Sequence, residues 1–146
     1  MTEFERRLAA VEAELAIRNV IARYGLAADC GNVDVALACH TEDAVYIVSN
    51  PDAGRNKAAG QDLELAGHEA IAAMLRSERH QSLLPNCAHT VGPLVVEVIQ
   101  DAAKVTGYSR VYNTVNKEPH LMRVAFNHWN MRKVDHNWKI ARRESR

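Results

Sequence analysis

The change of hydrophobic period in the last third of the chain constrains the fold most. HTVGPLVVEVIQ, KVTGYSRVYNTV, HLMRVAFNHWNMRKV and NWKIARRES read as four long strands, rich in β-branched and aromatic residues. Short turn signals separate them: Gln100-Asp101, Asn116-Lys117-Glu118-Pro119 and Asp135-His136-Asn137. Strands joined this tightly pair antiparallel. The first 28 residues are the opposite case, dominated by Glu, Arg, Ala and Leu with no Pro, and read as helix. Helices first and strands last make an α+β chain rather than alternating βαβ units. A curved sheet wrapped around the long helix would leave a hollow at one end.

The N-terminal helix carries two apolar stripes. Phe4, Leu8, Val11 and Leu15 form one, and Ile17, Val20, Ile21, Tyr24 and Ala28 form another on a different side. One straight helix does not normally bury two such faces in succession. The expectation is therefore a short leading helix plus a core helix, or a kink near Ala16. Gly31 and Asn32 end it, with Asp29 at its last turn. A short helix over Asp34 to Cys39 follows, capped near Asn32, and then DAVYIVSN as a strand. Asn50 to Gln61 reads as a loop that could cover a pocket. Leu63 and Leu65 mark a brief strand, and Gly67 to His80 a helix with Ile71, Met74 and Leu75 on its apolar face.

At 146 residues, the chain fits one domain over 1–146 and can bury a core without staples. Hydrophobic residues are 47% and charged residues 25%, which excludes global disorder. Lys+Arg and Asp+Glu both number 18, so no net basic field is available for a general nucleic-acid binder. No apolar run approaches a membrane span, and the start lacks the features of a signal peptide. Cys30, Cys39 and Cys87 form no CxxC pair and read as reduced, mostly buried thiols of a cytoplasmic protein. GxGxxG, P-loop, GxSxG and HExxH motifs are absent. His120, His128 and His136 follow no known ligand spacing, so no metal is expected.

Four segments together resemble the SnoaL-like branch of the nuclear-transport-factor-2-like superfamily: IRNVIARYGLAADCGNVD, ALACHTEDAVYI, CAHTVGPLVVEV and WNMRKVDHNWKIARR. Their order and spacing carry the resemblance over nearly the whole chain. It implies a cone-like barrel, a strongly curved antiparallel sheet wrapped around N-terminal helices with an internal cavity. It also implies a site. Cofactor-free lyases of this branch pair an Asp late in the core helix with a His at the start of a long strand, and Asp29 and His89 occupy those positions. Tyr24, five residues before the Asp, and Arg143, five residues after Trp138, match further substrate-facing positions. Tyr46 on the first strand is a weaker candidate for the pocket wall. Tyr108, Arg110 and Tyr112 share one strand face, either the pocket or the outer side.

These residue types suit β-elimination. A neutral imidazole is a good base near pH 7. A carboxylate on its other nitrogen fixes the tautomer and stabilises the imidazolium. A phenol or guanidinium can hydrogen-bond to developing negative charge. The resulting expectation is a cofactor-independent lyase of dehydratase type, acting on a small hydrophobic cyclic or aromatic molecule. An isomerase, a retro-aldol carbon–carbon lyase and a non-catalytic small-molecule binding module remain alternatives. A dioxygenase small subunit is a more distant one. Pairing of outer sheet faces, with Val124, Phe126 and Trp129 flanking both sides, suggests a homodimer first and a homotrimer second.

Overall fold

The computed structural model describes residues 1–49 and 62–146. The Asn50 to Gln61 segment, read above as a loop, lies outside them. The N-terminal helix α1 spans Glu3–Asp29. Thr2 and Glu5 close its start reciprocally, each side chain accepting from the other's backbone amide. Gly31 adopts a left-handed φ of 69° just past its end, and the Asn32 amide returns to the Ala27 carbonyl at 2.9 Å.

The expected break near Ala16 does not occur. Arg18 and Glu14 form an i,i+4 ion pair across that point at 2.6 Å, and the helix runs on. Only the second stripe is buried: Ile17, Val20, Ile21, Tyr24 and Ala28 enter the core, whereas Phe4, Leu8, Val11 and Leu15 are exposed. One helix carries both stripes because the first half of α1 finds no packing partner among the described residues.

Helix α2, Val33–Ala38, is capped by the Asn32 side chain as expected. Strand β1 (His40–Val48) and strand β2 (Leu63–Ala66) follow. Helix α3 covers Gly67–Arg76, with Ile71 and Leu75 buried. The helix expected to reach His80 stops earlier. Ser77 takes an extended conformation, and its hydroxyl caps a separate turn, α4, over Glu78–Gln81. Strands β3 (Cys87–Ile99), β4 (Ala102–Val115), β5 (Glu118–Val134) and β6 (Asn137–Ser145) complete the chain where the period predicted them.

The six strands form one open sheet in the order β2-β1-β6-β5-β4-β3. The expectation of a purely antiparallel sheet needs one correction, since β1 runs parallel to β6. No hairpin joins these two strands, so no turn dictates their relative direction. Bulges interrupt β3 between Val91 and Leu94, β5 opposite Val111 and Tyr112, and β6 opposite Asn130 and Met131. Each extra residue bends its strand and tightens the twist. Helix α1 packs on β3 and β6, so the long helix lies inside the bend.

Alternation along β5 fixes what faces inward. Ala125, Asn127, Trp129 and Met131 are buried, while Val124 and Phe126 are exposed. Trp129 therefore belongs to the core and not to the outer face. On β4, Ser109 and Val111 line a cavity. Tyr108, Arg110 and Tyr112 have the opposite parity and lie on the outer side, where Tyr108 meets Phe126 edge-on at 5.5 Å.

Candidate active site

The end of α1 delivers Asp29 to the start of β3. Gly25 makes the approach feasible: a Cβ at that position would stand 3.2 Å from the His89 carbonyl oxygen. One turn later, the Asp29 carboxylate takes hold of His89 twice. Oδ2 accepts the His89 backbone amide at 2.8 Å, and Oδ1 meets imidazole Nδ1 at 2.5 Å. Burial acts to raise the Asp29 carboxyl, but the hydrogen bonds from the His89 ring and amide outweigh it and hold the group below its ordinary value. An ionised carboxylate only accepts, so Nδ1 of the neutral ring carries the hydrogen and Nε2 keeps its lone pair.

His89 lines two adjoining cavities of about 200 and 130 Å³. Their shared wall is Tyr24, Tyr46, Val48, His89 and Arg143. Tyr24, Tyr46, His89 and Arg143 were singled out in the sequence, and Asp29, the fifth candidate, holds His89 from behind without lining either cavity. The larger cavity continues over Leu63, Leu65, Met74, Leu75 and Leu83 and is mostly apolar. The smaller one is more polar, with Ser109, Arg123 and Ser145 in its wall.

Arg143 reaches the cavity because of the β6 bulge. Met131 pairs with Ile140 and Asn130 pairs with Arg142, which leaves Ala141 without a partner. Strict alternation from the inward-facing Trp138 and Ile140 would turn Arg142 inward and Arg143 outward. The extra residue reverses that parity. Arg143 is buried, and Arg142 pairs with Glu144 at 2.9 Å instead. Cross-strand neighbours Tyr46 and Trp129 flank Arg143, with ring centroids 4.8 and 5.4 Å from its guanidinium carbon, and Tyr24 on α1 stands at 5.7 Å. Burial, together with the Tyr46 phenol, holds the Tyr24 hydroxyl well above its ordinary range, although Arg143 opposes this. Tyr24 is therefore a hydrogen-bond donor at neutral pH.

Sequence reasoning missed three residues of this neighbourhood. Asn127 accepts from Arg143 Nε at 2.9 Å, and its own amide nitrogen donates to Ser109 Oγ at 2.7 Å and the Ala125 carbonyl at 3.1 Å. Its inward parity with Trp129 and Met131 on β5 was the available signal. His80 lies in the wall of the larger cavity, its ring 6.4 Å from that of His89. Its Nε2 bonds to the Ala28 carbonyl at 2.9 Å and must therefore carry the hydrogen. Ser77, the cap that starts α4, was the available signal for His80. His40 packs edge-on against Tyr24 at 4.8 Å, and burial pushes its pKa down to about 4.

Cys87 is the third member of a potential ligand set. Its sulfur, an Asp29 oxygen and a His89 nitrogen lie within 4.8 Å of one another, the one such group among the described residues. Burial, reinforced by the Asp29 charge, pushes the Cys87 thiol up to about 11. The protonated thiol is thus favoured at neutral pH, and His89 Nδ1 is already committed to Asp29. His120, His128 and His136 are exposed and join no such group. All three cysteines are free, Cys30 exposed and the other two buried. Among the described residues no helix is long and apolar enough to cross a membrane.

The pattern of a SnoaL-like domain matches residues 9–144. The chain belongs to the SnoaL-like family. An NTF2-like protein with a cystatin-like fold from Novosphingobium aromaticivorans shares 32% identity with this SnoaL-like chain, at a TM-score of 0.86 over 99% of this chain and 88% of that one. A protein from the same bacterium, provisionally named a scytalone dehydratase, is 18% identical, with a TM-score of 0.72 over 94% and 85%. The beta subunit of a protein provisionally named an aromatic-ring-hydroxylating dioxygenase, again from that bacterium, is 17% identical, with a TM-score of 0.74 over 94% and 90%. These last two likenesses show the shared fold. No curated protein matches the sequence.

Proposed function

We propose that this SnoaL-like protein is a cofactor-independent lyase that eliminates water or another small leaving group from a small hydrophobic, cyclic or aromatic molecule. The observation that carries the reading is the grip of Asp29 on His89 at the wall of an apolar hollow. His89 Nε2 removes a proton from substrate carbon, and Asp29 stabilises the imidazolium that forms. The C–H electron pair moves into the new double bond as the bond to the leaving group breaks. Tyr24 and Arg143 hydrogen-bond to the oxygen on which charge develops. The His89 imidazolium then gives that proton to the departing oxygen, so that water leaves and the ring returns to its neutral form. Tyr46 shapes the wall and flanks Arg143. The step uses only side chains of this chain and needs no metal or organic cofactor.

The test is substrate turnover, read by mass, for His89→Ala and Asp29→Ala. A dehydratase product is lighter by one water, while an isomerase product is unchanged in mass and would move the assignment to that class. Full activity in both variants, folded by circular dichroism, would falsify the dyad. Retained ligand binding with no turnover of any substrate would favour a binding module.

The outer sheet face carries Tyr108, Leu121, Val124 and Phe126, all at least 40% exposed. We propose that it pairs with a second copy as a homodimer, with a homotrimer as the next choice. A cytoplasmic location is proposed on the same footing, from the three unpaired thiols. The even balance of charge supports a small molecule as the partner, with neither nucleic acid nor membrane involved.

A further inference from the structure

Arg143 is a permanent cation that is only 6% exposed. Among the described residues its one hydrogen bond runs from Nε to the neutral amide of Asn127, and no Asp or Glu pairs with it. Three aromatic rings surround it and offset part of the cost of burial. A charge removed from water without a counter-charge remains expensive. A second guanidinium shares the smaller cavity. Arg123 makes only long hydrogen bonds there, at 3.3 and 3.5 Å, to the Ser49 and Ser145 carbonyls. Among the described residues no aspartate or glutamate lines either cavity. Arg143 thus stands at the junction of the two lobes, with Arg123 beside it in the smaller one, while Arg79 is the other cation in the larger lobe, whose wall is otherwise mostly apolar.

We propose that the smaller cavity is a carboxylate subsite. Arg143 binds the acid group of the ligand through the terminal nitrogens that Asn127 leaves free, with Arg123 as the second cation. The apolar body of the ligand fills the larger cavity and lies across His89. This inference rests on reading the hollow as the substrate site, and it narrows the substrate class to hydrophobic acids. A planar guanidinium matches a carboxylate with two parallel hydrogen bonds. Asn127 fixes the Nε edge, so the terminal nitrogens are held in place before the ligand arrives. A neutral ligand of the same shape would leave the cation uncompensated, and discrimination between the two follows.

The test is calorimetric titration of the unmodified protein with cinnamate and with cinnamamide, an acid and its neutral isostere. The acid is expected to bind about tenfold more tightly or better, and Arg143→Gln to reduce that preference below about threefold. Arg123→Gln is expected to have a smaller effect in the same direction. Equal binding of acid and amide by the unmodified protein overturns the proposal, whether or not Arg143→Gln folds. So does an acid preference that survives Arg143→Gln in a folded variant. Failure of cinnamate and of the larger 2-naphthoate to bind at millimolar concentration overturns it too. Titration of His89→Ala separates this inference from the lyase reading. A protein that prefers the acid but turns over no substrate keeps the subsite and loses the elimination chemistry.

Discussion

Gly25 and His89 touch across the α1–β3 interface. The glycine lacks the one atom that would press on the histidine's own carbonyl oxygen, at 3.2 Å, whereas the histidine Cβ, at 3.7 Å, would be an ordinary contact. The backbone carbonyl cannot rotate away as a flexible side chain would. Gly25→Ala should therefore push β3 from α1 by a few tenths of an ångström and loosen the Asp29 contact one turn later. We expect turnover to fall by roughly tenfold, since reacting groups misplaced by less than 1 Å already lose rate. Steady-state kinetics alongside thermal melting checks this. A stability loss with unchanged kcat would show that helix spacing does not set the reactive geometry.

Asp29→Asn keeps the shape of the side chain and removes its charge. The amide nitrogen can donate to Nδ1 and stabilise the wrong tautomer, leaving Nε2 protonated and unable to act as a base. The expected loss in kcat is about 10²–10⁴-fold. Stability should change with pH in a related way. The folded-state pKa of Asp29 is lowered, so its contribution is present above the unfolded value of 3.8 and is lost as pH falls through the folded value. Acid titration of urea unfolding should show a shallower decline below that pH in the Asn variant than in the unmodified protein.

His40 makes a separate prediction at milder pH. Its Nδ1 donates to the Ala36 carbonyl at 2.8 Å, and its buried Nε2 has no partner among the described residues. Burial lowers its pKa from 6.5 to about 4, so the unfolded chain takes up a proton between those values while the folded chain does not. The stability it contributes is full above pH 6.5 and is lost as pH falls toward about 4, to a total on the order of 3 kcal/mol. Denaturant titrations at pH 7.5 and 4.5 should show a smaller difference for His40→Gln than for the unmodified protein. An equal difference would assign the pH dependence to other groups.

Phe126 tests the outer face. It contacts Tyr108 at 5.5 Å and His128 at 4.9 Å, yet remains 40% exposed. Light scattering should give a multiple of 16.3 kDa for the unmodified chain and a shift toward 16.3 kDa for Phe126→Glu. A monomeric mass for the unmodified chain at micromolar concentration would remove the proposed dimer.

The parts legible in the sequence were those governed by period and spacing. The four C-terminal strands emerged because alternation and turn residues are local properties, and their boundaries agree to within a few residues. The end of α1 was legible for the same reason, in Gly31 and Asn32. Asp29 and His89 came from a resemblance rather than from geometry, and the structure places them in contact. The parallel β1–β6 pair was not legible, because it depends on a contact between residues nearly a hundred positions apart. His80 was hidden inside an apolar helical pattern that Ser77 interrupts. The exposed Phe4 stripe misled for a different reason, because amphipathic spacing records an apolar face without saying what covers it.

Ala141 gives the last strand one residue more than its partner needs, and that surplus selects which side chains the hollow receives. Deleting it would leave Ile140, Arg142, Arg143, Glu144 and Ser145 in regular alternation, with Arg143 and Ser145 still on the interior wall. Paired at full length without the bulge, the strand would instead turn Arg142 and Glu144 inward. The lobe that now offers guanidiniums without a counter-charge would then hold an acid and a base side by side, already neutralised. Ligand preference in this protein is thus written partly in which residue is looped out of the ladder, and a slip of register would rewrite it without altering the chemistry of any amino acid.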